Sequence, residues 1–114
     1  MKKELIENKY EIDSIINKNI RNKRLVLTDW YEVGILKKGI SHEKVMEIFP
    51  QFERVIKIEK ELLKKGDIGY ELFYKLNDNT IFSIATIPKN GKILIIHAIG
   101  YKRNLDHRFK RFRQ

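Results

Sequence analysis

The spacing of apolar residues changes period along this chain. In residues 3–20, Leu5, Ile6, Ile12, Ile15, Ile16 and Ile20 recur at helical intervals, and the 12-15-16-20 series follows one helix face. Glu4 and Glu7 stand where negative charge favours a helix start, so the pattern predicts an N-terminal helix over residues 3–20. Residues 24–28, Arg-Leu-Val-Leu-Thr, read as a short strand. Asp29 is placed to cap a helix in which Trp30, Val33 and Leu36 or Lys37 share a face, with Trp30 expected in the core. Gly39 supplies its left-handed stop. Ser41 caps a second short helix with Val45, Met46, Ile48 and Phe49 inward, and Pro50 prevents its continuation.

From residue 54 the period becomes two. Residues 54–61, 70–76, 80–87 and 92–101 read as strands, divided by turn-forming stretches that include Asn90-Gly91, a strong hairpin signal. These segments predict an antiparallel meander of four strands. The fold class is α+β: an N-terminal helix, then β-α-α-β-β-β-β, with the sheet packed by helices. Residues 1–114 are read as one domain, with a helix over 1–20, a core over 24–101 and a tail over 102–114. The last strand is apolar on both faces, Ile93, Ile95 and Ile99 on one and Leu94, Ile96 and Ala98 on the other. Two-sided burial predicts an interior place in the sheet.

Charge adds to this picture through its distribution. The net charge is +9. Residues 102–114 hold Lys102, Arg103, Arg108, Lys110, Arg111 and Arg113 against Asp106. Residues 18–24 hold Lys18, Arg21, Lys23 and Arg24 with no acid. These two blocks account for the whole excess, and the rest of the chain is neutral. Two cationic blocks beside a neutral body point to a polyanionic partner, nucleic acid first; the plainer alternative is a pair of solvated charge runs. Within the tail, Leu105, Phe109 and Phe112 are spaced for a last helical turn. The chain has no cysteine, which excludes disulfides and thiolate metal sites. His42, His97 and His107 have no metal-ligand spacing, so neither metal nor cofactor is expected. The apolar run 93–99 is interrupted by His97 and is too short to cross a bilayer, and no signal-peptide core opens the chain; the expectation is a soluble, cytoplasmic protein with no membrane partner.

The segment LTDWYEVGILKKGISHEKVMEIF, residues 27–49, together with the meander after it, resembles the RelE-like superfamily of small toxins, BrnT-type members and a related family above all. The likeness spans about residues 24–101. Lys38-Gly39-Ile40 stands in the place of an Arg-Gly-Ile motif, while Trp30 stands where that pattern has His and Gly34 where it has Arg. The resemblance implies a sheet with a basic open face, cleavage of mRNA (including mRNA on the ribosome) without a metal, and an acidic antitoxin as protein partner.

Cleavage of RNA through its own 2′-hydroxyl needs a base, cations for the phosphate oxygens and an acid for the leaving oxygen. The candidates for that chemistry are His97, Tyr101, Arg103 and His107. Lys18, Arg21, Lys23, Arg24, Lys57, Lys75, Lys102, Arg108, Lys110, Arg111 and Arg113 are the candidates for phosphate contact. Each has a structural alternative. His97 is also read as a hydrogen-bonded core histidine, Tyr101 as a strand cap, and His107 as a surface residue. Tyr70 and Tyr74 share a strand face and are read as core packing ahead of a stacking platform. Two rivals stand beside the ribonuclease. One is a non-catalytic nucleic-acid-binding module, favoured by the missing His and Arg. The other is a regulatory interaction domain that grips an acidic protein.

Overall fold

The computed structural model of the protein describes residues 2–101. The elements in chain order are β1 (Lys2–Ile6), α1 (Lys9–Ile15) with a π-helical extension (Ile16–Ile20), β2 (Arg24–Leu27), α2 (Asp29–Lys38), α3 (His42–Ile48), a 3-10 turn (Phe52–Arg54), β3 (Val55–Leu62), β4 (Ile68–Asn77), β5 (Thr80–Lys89) and β6 (Lys92–Tyr101). The fold is α+β. The expected four-stranded antiparallel meander is present as β3 to β6. It is extended at both ends, giving a six-stranded sheet of order β1-β3-β4-β5-β6-β2.

The N-terminus departs from expectation. Residues 2–6 form an antiparallel edge strand on β3, from Lys2 opposite Leu62 to Ile6 opposite Ile58, so a strand and not a helix comes first. Asn8 sets the boundary: its side chain accepts hydrogen bonds from the Tyr10 and Glu11 amides and starts α1 there. From Asn8 onward the helical spacing is realised. Ile12, Ile16 and Ile20 are all buried, and the closing turn widens so that the Arg21 amide bonds the Ile16 carbonyl at 2.8 Å.

The helices cover one face of the sheet. Ile12, Ile16, Ile20, Tyr31, Ile35, Val45 and Ile48 meet Ile58, Tyr70, Leu72, Tyr74, Phe82, Ile84, Ile93, Ile95 and Ala98. Each isoleucine, leucine, valine or phenylalanine side chain among them contributes about 1.5–3 kcal/mol on withdrawal from water. Tyr70 and Tyr74 therefore pack in the core. Tyr74 donates its hydroxyl hydrogen to the Phe49 carbonyl at 2.8 Å, and α3 is tied to α2 by a 2.7 Å bond between the Tyr31 hydroxyl and His42 Nδ1.

β6 lies inside the sheet, as its two apolar faces required, but its faces are not those of strict alternation. A bulge sets Ala85 opposite His97 and Thr86 opposite Ile95, leaving Ile96 over. Ile93, Ile95 and Ala98 consequently share the helix face, and Ile99 moves with His97 and Tyr101 to the other. Parallel pairing with β2 covers only Lys92 to Ile95. Beyond that point α2 runs along the strand. Thr28, not Asp29, caps this helix by accepting from the Tyr31 amide, and its Oγ1 also donates to the Ile95 carbonyl at 2.8 Å. Lys38 Nζ reaches the Ala98 carbonyl at 3.5 Å, and Gly39 takes the left-handed stop at φ 66°. Trp30 also departs from its expected place in the core. Tyr31 and Ile35 face the core, so Trp30, Val33 and Leu36 lie on the opposite side of the helix, in water.

Candidate nucleic-acid interface

Four of the residues singled out by the sequence come to the sheet face turned away from the helices. The cross-strand registers line up Lys57, Phe73, Ser83 and Ile99 in one row, and Glu59, Glu71, Ala85 and His97 in the next. Lys75 and Tyr101 flank Ile81 one row further on. Lys57, Lys75, His97 and Tyr101 thus share a face. Its centre is apolar: Phe73 is fully buried, packed by Leu5, Ile81 and Tyr101, whose ring lies 6.4 Å from that of Phe73.

The immediate surroundings of His97 are acidic. His97 lines a cavity of about 140 Å³ with Glu59, Glu61, Glu71, Gly69, Ala85 and Thr86. Glu59 is 4 % exposed. Carboxylates here oppose a phosphate by direct repulsion, and Lys57 Nζ leans towards Glu7 Oε2 at 4.0 Å. Among the described residues, no three His, Asp or Glu side chains converge as metal ligands.

Of the first cationic block, Arg24 begins β2 opposite Lys92, exposed at the end of the sheet. Arg21 is held elsewhere. Its Nε donates to Asn17 Oδ1 at 3.0 Å and its guanidinium lies 4.9 Å from the Phe52 ring centre. Lys18 is exposed on the π-helical turn. Lys102, Arg103, His107, Arg108, Lys110, Arg111 and Arg113, and the helical turn expected through Leu105, Phe109 and Phe112, lie outside the described residues. The chain enters that segment from the far end of β6, about 30 Å from Arg24 at 3.3 Å per residue.

Lys23 and Arg24 of the first block are joined at their end of the sheet by cations that no sequence block announces. Lys3 near the start of β1, Lys64 and Lys65 in the β3–β4 turn, Lys89 and Lys92 at the β5–β6 hairpin, and Lys23 and Arg24 at the start of β2 succeed one another along a single rim. All but the half-buried Lys23 are exposed. With five strand spacings between β1 and β2, the rim is about 24 Å long. The two turns contain one acid, Asp67, which is paired with Lys89 at 3.2 Å. Positive φ at Gly66, Asn90 and Gly91 holds these turns tight, so their lysines sit at the sheet's end. The signal in the sequence was a Lys at or beside each turn, spread too thinly to stand out as a run.

Compared with family models, with curated proteins and with solved structures, the chain matches none. Among the described residues no helix is long and apolar enough to cross a membrane.

Proposed function

We propose that this protein binds RNA, and that the basic rim from Lys3 through Lys64, Lys65, Lys89 and Lys92 to Arg24 is its contact surface. The observation that carries the reading is the convergence of cations from four separate stretches of chain on one end of the sheet. Scattered lysines on a solvated surface have no reason to align. A polyanion gains from each one by releasing the counterions condensed on its phosphates. The acidic lining beside His97 favours binding without cleavage at that cavity. The proposed reading is therefore a non-catalytic RNA-binding module.

The ribonuclease of RelE-like type, with its acidic antitoxin, is the narrower proposal. One observation favours it: His97, Tyr101, Lys57 and Lys75 share a face at whose edge the chain passes into the arginine-rich residues 102–114.

Binding of a labelled single-stranded RNA, measured against salt concentration with a chelator present, separates these readings. The association constant is expected to fall steeply with salt. Substituting both Lys64→Ala and Lys65→Ala is expected to lower the slope of log K against log salt by about 1.4, which is 0.7 for each single-strand phosphate contact. A slope that these substitutions leave unchanged would remove the rim from the interface. Metal-free cleavage abolished by His97→Ala or Tyr101→Phe would establish the ribonuclease instead.

A further inference from the structure

Helix α2 is apolar on two opposite sides. Tyr31 and Ile35 enter the core, and at 100° per residue Val33 points away from them with Trp30 and Leu36 to either side. These three are 50 %, 75 % and 82 % exposed. A helix on a protein surface ordinarily turns charged residues outward, so a second apolar side implies a second cover. The surface also continues past the helix. A groove of about 630 Å³ lies beside it, bounded by the apolar Trp30, Ile87, Ile96 and Ile99 together with Gly34, Lys38 and His97. A contiguous apolar patch of this kind marks an interaction site where a lone exposed leucine does not.

The charges on α2 indicate what covers it. Asp29 and Glu32 lie in the first turn, Lys37 and Lys38 in the last. Counted from Val33, Asp29 and Lys37 are four residues away on either side, and Trp30 and Leu36 three. Such a surface is complementary to itself after a half-turn about Val33. We propose that the cover is a second copy of this chain, with the two α2 helices packed antiparallel about a two-fold axis at Val33.

In that arrangement Trp30 meets the partner's Leu36, Asp29 meets the partner's Lys37, and the two Val33 side chains touch on the axis. A parallel pairing would instead set acid on acid and base on base. The contact is isologous, so it closes at two copies and does not propagate into a filament. The helix contact uses none of the rim lysines and so stands whether or not the rim binds RNA, while the adjoining groove borders the sheet face that carries His97 and Ile99.

Sedimentation equilibrium of the full chain over about a hundredfold range of concentration tests the proposal, because a dimer's population follows mass action. A monomer–dimer equilibrium is expected. The emission of Trp30, the only tryptophan in the chain, is expected to shift to shorter wavelength as the dimer forms. Leu36→Glu, at an exposed position that leaves the fold intact by circular dichroism, is expected to raise the dimer dissociation constant about 30-fold or more. Lys37→Glu should weaken association, and adding Asp29→Lys to the same chain should restore it. A wild-type chain that stays monomeric throughout would overturn the proposal. So would a dimer indifferent to Leu36→Glu and Lys37→Glu.

Discussion

Tyr74 is the side chain on which the core is most sensitive to chemistry rather than shape. It is fully buried, and burial first, with Glu53 nearby second, pushes its hydroxyl well above the usual tyrosine value of 10.0. The native state therefore holds that proton more tightly than the unfolded chain does. Its contribution is intact below pH 10 and is lost as the pH rises from there towards the native value. Urea unfolding is expected to show falling stability above pH 10, and Tyr74→Phe should flatten that fall. The same substitution removes the bond to the Phe49 carbonyl and costs about 1–2 kcal/mol at neutral pH. Tyr31 and Tyr70, also raised by burial, add to the alkaline trend. The inward direction of Tyr70 and Tyr74 was legible in the sequence, since alternate positions of a strand share a face. Trp30 was not legible, because both sides of α2 are apolar and periodicity alone gives no rule for choosing between them.

At the scale of elements, the decisive feature is the junction where β2 stops and α2 begins. Thr28 acts on both neighbours: one oxygen accepts from the Tyr31 amide and donates to the Ile95 carbonyl, while its amide reaches that same carbonyl at 3.3 Å. Thr28→Val keeps the shape and loses both hydroxyl bonds. It is expected to cost about 1–2 kcal/mol in chemical denaturation, with the larger part of the lost helicity in α2. A change within about 0.3 kcal/mol would mean that solvent replaces the hydroxyl. Element positions were legible wherever the sequence has an interrupting residue: Gly39, Ser41, Pro50 and Asn90-Gly91 each stand at a boundary. They were not legible over residues 3–20. There a five-residue strand and the helix after it both place isoleucines at compatible spacings, and Asn8 carries the only local mark of the division. The bulge at Ile96 left no sign in the sequence either, since apolar residues on both sides of it satisfy either register.

For the molecule as a whole, the rim makes its own prediction. Lys64 and Lys92 stand on separate turns, two strand spacings apart in the sheet order, so each acts on the polyanion without the other's help. Lys64→Ala and Lys92→Ala are expected to reduce the salt slope of RNA binding by about 0.7 each and by their sum together. Sub-additive loss would indicate one shared phosphate in place of a run of them. By itself the sequence determined the α+β class, the four-strand meander, the Gly39 stop of α2 and the Ser41 cap of α3, because turn chemistry and side-chain period act over a few residues and need no distant partner. Only the tertiary structure decided the placement of β1 and β2 on opposite edges of the sheet, the outward side of α2 and the gathering of Lys3, Arg24, Lys64, Lys89 and Lys92. Those features depend on which strand pairs with which, and residues far apart in the chain settle that jointly.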